Sequence, residues 1–227
     1  MRGGERLRFI PTRANRDARG AVVVYPDRDG ATADLRDLTH HLAFSVYAAL
    51  LLDPFSRHCG TDAVPVRDRA ALLGNRESLV QGVGDVRAAA AYLAADMGLA
   101  LAQVGVLGLG FGGLVAWQAA QAPNGFFPRA VVLYSPMPDS LTHAKHLKAA
   151  VLMHFRTRDR RAVTALPALR RRLRAAGCVH ALRVHPDSGR AFWGERGGTE
   201  NCATAAWQET LAWFERHLRP PTIAASH

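Results

Sequence analysis

Val104-Gly-Val-Leu-Gly-Leu-Gly-Phe-Gly-Gly113 joins a short apolar run to the helix-like stretch 112–121, and the fold turns on how its glycines are read. Taken as G-x-G-x-x-G, Gly108, Gly110 and Gly113 would form a dinucleotide fingerprint, a tight turn that seats a pyrophosphate on a helix N-terminus. Taken as G-x-Nuc-x-G, Gly108-Leu-Gly-Phe-Gly112 is a nucleophile elbow, a strained strand-to-helix turn with glycines relieving the crowding beside its central residue. Here that residue is Gly110, which tolerates the backbone but supplies no attacking atom. The dinucleotide reading is the weaker. The turn lies beyond residue 100, and the next strand ends in Ser135-Pro136 with no acid for a ribose. No second nucleotide-binding half follows.

Outward from this turn, β-branched runs alternate with helix-like stretches, as in a parallel sheet covered on both faces. Strands are expected at 7–11, 21–25, 45–52, 104–107, 130–134, 149–155 and 180–185, and helices at 34–43, 85–96, 112–121, 164–176 and 204–217. In the last helix Ala206, Thr210, Trp213, Phe214 and His217 recur at helical spacing, so that face packs on the sheet. Residues 53–81 read as an irregular excursion beside the pocket. A single domain over 1–227 is expected, with a loose tail from 219. Ligands in such sheets sit at the carboxyl ends of the strands.

Gln81-Gly-Val-Gly-Asp-Val-Arg-Ala-Ala-Ala-Ala-Tyr92, Val104–Trp117, Arg156-Thr-Arg-Asp-Arg160 and His185-Pro-Asp-Ser-Gly-Arg-Ala-Phe192 together resemble the dienelactone hydrolase family in order and spacing. The likeness runs from about residue 21 to 218. It implies an α/β-hydrolase fold, mostly parallel with helices on both faces and an abbreviated N-terminal region. It also implies a nucleophile at the elbow, an acid after a late strand and a histidine after the last one. The acid falls on Asp159 and the elbow on Gly110; the P-x-x-G-H-x-F histidine falls on Arg190, in register through Pro186, Gly189 and Phe192. An acidic residue after the first central strand matches Asp27, and a carboxylate-binding arginine falls on Arg67 by ungapped counting.

An ordinary triad needs an attacking atom and a base near neutral pH. Gly110 lacks the first, and arginine holds its proton above about pH 12. An anion pocket is expected to survive, with the Phe111 N–H at a helix start, a second donor from Arg28 and Trp193 in the wall. Asp27, Asp159 and Arg190 are the candidates for proton transfer, with Arg190 expected to pair with Asp159. A non-hydrolytic enzyme of isomerisation, cyclisation or elimination type heads the readings, acting on an anionic or carbonyl-bearing small molecule. A ligand-binding pseudohydrolase and a hydrolase with a relocated nucleophile such as Cys59 follow. His185, at the end of the last strand, reads as a packed histidine.

The chain has 227 residues and a formal charge of +10, carried almost wholly by arginine. The arginines are scattered apart from Arg170-Arg171-Arg172 with Arg174, so nucleic acid is not an expected partner. No apolar run suits a membrane span, and the basic start MRGGERLRF shows no secretory signal. Three unpatterned cysteines fit reduced thiols in a cytoplasm. No cofactor is expected, and no metal, since His143 and His146 have no third ligand nearby in sequence. Titration with NADH and NADPH should give no saturable fluorescence change at micromolar concentration; a saturable one would restore the dinucleotide reading of Gly108–Gly113.

Overall fold

The computed structural model describes residues 9–11, 18–45, 47–121, 128–136, 141, 147–186 and 200–218. Its strands are β1 (Phe9–Pro11), β2 (Gly20–Tyr25), β3 (Tyr47–Leu52), β4 (Val104–Leu109), β5 (Ala130–Tyr134), β6 (Ala150–Arg156) and β7 (His180–His185). They form one sheet in the order β1-β3-β2-β4-β5-β6-β7. Every neighbouring pair is parallel except β1 with β3. β2, β3, β4 and β5 are buried at every residue, because helices cover both of their faces.

The helices are α1 (Ala33–Phe44), α2 (Val66–Leu73), α3 (Arg76–Met97), α4 (Phe111–Ala119), α5 (Arg160–Ala175) and α6 (Glu200–Leu218). Alternate strand residues assign the two faces. Val23, Tyr25 and Val106 pack with Val86 and Ala90 of α3 and with Val115 of α4. Val22, Val24 and Leu107 pack with Leu38 and Leu42 of α1 and with Phe214 of α6. In α5, Ala162, Leu166, Leu169 and Leu173 bury one stripe, which leaves Arg170, Arg171, Arg172 and Arg174 on exposed positions. No helix among the described residues is long and apolar enough to cross a membrane.

All seven expected strands are present. The expectation for 53–81 needs correction, because this stretch holds α2 and the first six residues of α3. α3 starts where the Asn75 side chain accepts the Ser78 N–H at 2.8 Å, an N-cap bond. Two glycines hide this helix in the sequence, and they differ in use. A Cβ on Gly82 would stand 2.8 Å from the Tyr25 hydroxyl and 3.1 Å from Val115, whereas one on Gly84 would meet nothing within 4 Å. Gly82 therefore lets α3 close onto β2 and α4. Gly84→Ala should stabilise the chain by roughly 0.5–1 kcal/mol, the usual gain over glycine inside a helix. Gly82→Ala should destabilise it by about 1–3 kcal/mol through overpacking; urea unfolding of both variants distinguishes the two roles.

Candidate functional site

β2 and β4 lie side by side at the centre of the sheet, with Tyr25 opposite Gly108. The turns that follow them therefore open on the same edge. In the β4–α4 turn, Gly110 adopts φ 52° and ψ −111°, a left-handed conformation that side chains disfavour. Its N–H donates to the Tyr134 carbonyl at 3.0 Å, and its carbonyl accepts the Gly113 N–H at 3.0 Å. A Cβ on Gly108 would collide with the Gly112 carbonyl, and one on Gly112 with the carbonyls of Tyr25 and Pro26. One on Gly113 would make an ordinary contact, 3.5 Å from Pro136. The glycines that the turn requires are thus 108, 110 and 112, the spacing of an elbow.

The space where a Gly110 side chain would stand is occupied. A Cβ there would overlap the Asp27 carboxylate, meeting its carbon and both oxygens. Asp27 reaches across from the turn after β2 and accepts the Phe111 N–H on Oδ1 at 2.8 Å. This charge caps the first turn of α4, where the helix presents free N–H groups and partial positive charge. The open anion cup expected above Gly110 is corrected accordingly: the carboxylate that fills it is the chain's own. Phe111 itself is buried, edge-to-face with Tyr25.

Several bonds fix the turn that carries Asp27. The Asp27 carbonyl accepts the Gly30 N–H at 2.9 Å. The Ala31 N–H donates to Thr61 Oγ1 at 2.9 Å, and Thr61 in turn binds both oxygens of Asp53 through its N–H and its hydroxyl. Arg69 lies over Phe55 and donates to the carbonyls of Asp29, Thr61 and Val64. Part of the stretch expected to be irregular is therefore the buttress of the Asp27 turn.

The model of the dienelactone hydrolase family matches residues 8–218. The chain belongs to that family. No curated protein matches it. A structure assigned to the dienelactone hydrolases from Klebsiella pneumoniae subsp. pneumoniae superposes with a TM-score of 0.79 at 23% identity, over 95% of each chain. The dienelactone hydrolase from Anabaena variabilis gives 0.70 at 21%, covering 96% of this chain and 94% of the other. A dienelactone hydrolase-like promiscuous phosphotriesterase from metagenomic libraries gives 0.69 at 16%, covering 93% and 98%. At these identities the likeness shows the α/β-hydrolase fold.

Within this dienelactone hydrolase-family chain, the structure brings Asp27, Gly110 and Phe111 together. Arg28 is exposed on the Asp27 turn. Asp159 follows β6 and receives the Arg156 guanidinium on both oxygens, at 3.1 and 3.3 Å. Arg190 and Trp193 lie outside the described residues, and so do His143, His146 and the tail from 219. Arg67 sits on the exposed side of α2, 3.8 Å from Asp68. The arginines that turn inward nearby are Arg69 and Arg57, the latter forked onto Asp85 at 2.8 and 2.7 Å. Cys59 is exposed at a φ of 65°, while burial pushes the Cys178 thiol up to about 11. His185 packs against His154, 2.9 Å away; the sequence reading gave His154 no role.

The Asp27–Gly110 contact makes a quantitative expectation. Gly110→Ala should cost about 1–3 kcal/mol from the positive φ alone, with a steric term against Asp27 added. Asp27→Gly should cost about 1 kcal/mol by removing the cap. The double variant should be more stable than the sum of the two losses by roughly 1 kcal/mol or more, as expected of groups in contact. Additive losses in denaturant melts would mean that the carboxylate does not occupy that space in solution.

Proposed function

We propose that this family member does not hydrolyse through an elbow nucleophile and a histidine, and that the Asp27 carboxylate is its reactive group. It accepts a proton from a small carbonyl-bearing substrate and returns it at another atom, in an isomerisation, cyclisation or elimination. The observation that carries this reading is the Asp27 carboxylate standing in the volume of a Gly110 side chain while bonded to the Phe111 N–H. Gly110 offers no attacking atom, and Arg190 replaces the histidine of the P-x-x-G-H-x-F register. Among the described residues the Phe111 N–H engages Oδ1, which leaves Oδ2 as the proton acceptor. Asp27 is partly exposed.

Because one negative charge already sits over Gly110, the carbonyl and its acidic C–H belong there. An anionic tail would go to Arg28, exposed on the same turn. Asp159, already facing Arg156, is the second acid–base candidate. A second reading, a ligand-binding pseudohydrolase, is favoured by one feature. The Phe111 N–H is already bonded to Asp27, so it is not available to stabilise an oxyanion.

Proton exchange separates the two. Small keto acids and 1,3-dicarbonyl compounds incubated with the protein in D2O should exchange their acidic protons, followed by NMR, and Asp27→Asn should lose the effect at least tenfold. Saturable binding without any exchange would select the pseudohydrolase. Turnover of p-nitrophenyl acetate or a dienelactone should stay at background with and without thiol alkylation. Turnover that alkylation abolishes would instead point to Cys59.

A further inference from the structure

A second polar cluster lies two strands away from β4, on the opposite face of the sheet from α4. His154 of β6, His185 of β7 and Glu209 of α6 each bring one donor atom into a group spanning less than 4.8 Å. His154 is fully buried and His185 nearly so, and the Glu209 side chain is 39% exposed. Register explains the meeting: His154 pairs with Arg183, so His154 and His185 point to the same face, where α6 lies.

We propose that His154 Nδ1, His185 Nε2 and Glu209 Oε2 form a binding site for one divalent transition-metal ion of the zinc type. A tetrahedral ion with ligands at about 2.0–2.1 Å holds them about 3.3 Å apart. The two nitrogens are 2.9 Å apart, and Glu209 Oε2 is 3.9 Å from His154 Nδ1. All three donors lie within 4.8 Å of one another, so ligation needs the nitrogens to part by about 0.4 Å and the carboxylate to close in by up to about 1.5 Å.

The surroundings hold the other polar atoms of the ligands, as outer partners do at metal centres. Arg183 Nε donates to Glu209 Oε1 at 2.9 Å. Oε2 is sealed from solvent and has no hydrogen-bond partner among the described residues. Thr210 Oγ1 lies 2.9 Å from the Ala206 carbonyl and 3.3 Å from His154 Nε2; when its single proton goes to the carbonyl, its oxygen accepts the His154 Nε2–H. In that tautomer Nδ1 faces His185 Nε2 as a lone pair. Tyr134, within 2.7 Å of the Thr210 oxygen, closes this chain of bonds.

Burial lowers both histidines below their usual range; for His154 the neighbouring His185 and Arg183 add to this, and for His185 Arg183 adds while Glu209 opposes. With His154 in that tautomer His185 carries its proton on Nε2, and binding would move it to Nδ1 with no net release. Two imidazoles and a carboxylate suit zinc or cobalt and leave one position for water. The ion would tie α6 to the edge strand β7.

The test uses the folded chain, freed of metal by chelation, and the metal ion alone. Zn2+ should bind at one ion per chain, measured by competition with a chromophoric chelator, and raise the melting temperature. Co2+ should give the intense visible bands of a tetrahedral site. Glu209→Gln and His185→Gln, checked for folding by circular dichroism, should each weaken binding at least tenfold; they spare the fully buried His154. Binding unchanged in both variants, a stoichiometry near zero, or an octahedral Co2+ spectrum would overturn the proposal.

Discussion

The backbone of the β4–α4 turn lies against the backbone of the β2 turn, and the site follows from that approach. Gly112 faces the carbonyls of Tyr25 and Pro26 where no side-chain atom would fit. This closeness brings the residue after Pro26 over the start of α4. Asp27 is that residue, and its carboxylate meets the first free N–H of the helix. Bulk at Gly112 would part the two turns and remove the charge from its position, whatever happened to the rest of the sheet.

The electrostatics are local rather than global. A chain with a formal charge of +10 places a carboxylate at the start of α4, just after the central strand β4. The helix end offsets about half of the carboxylate's charge. Asp85 and Asp159 are also neutralised locally, by the guanidinium groups of Arg57 and Arg156. The exposed arginines of α5 belong to a solvated face.

The strands were legible because each is a short apolar run that must be buried on both sides, and β5 and β7 were located to the residue. The start of α3 was not, because Gly82, Gly84 and a polar first turn look like a loop until the neighbour of Gly82 is known. The elbow was legible as a pattern, although the choice between 108/110/112 and 108/110/113 rests on which backbones come close. That an acid follows the first central strand at Asp27 was expected from the family likeness; that it faces Gly110 and fills the space above it is a distance that no sequence pattern carries. His154, His185 and Glu209 come from three elements that only register and helix packing bring together. Their marks in the sequence are a histidine inside an apolar strand and Thr210 inside the apolar stripe of α6.

The occupied space above Gly110 also constrains how this protein can change. A serine or cysteine at position 110 would arrive in a strained backbone and on top of a carboxylate, so the first step is penalised before any chemistry appears. Removing Asp27 first sacrifices the partner of α4 and leaves an empty turn. Neither order offers a single-substitution path along which each intermediate is as fit to fold as its predecessor. The two positions are epistatic through plain volume exclusion, and the site sits behind a ratchet that mutation turns more easily one way than the other.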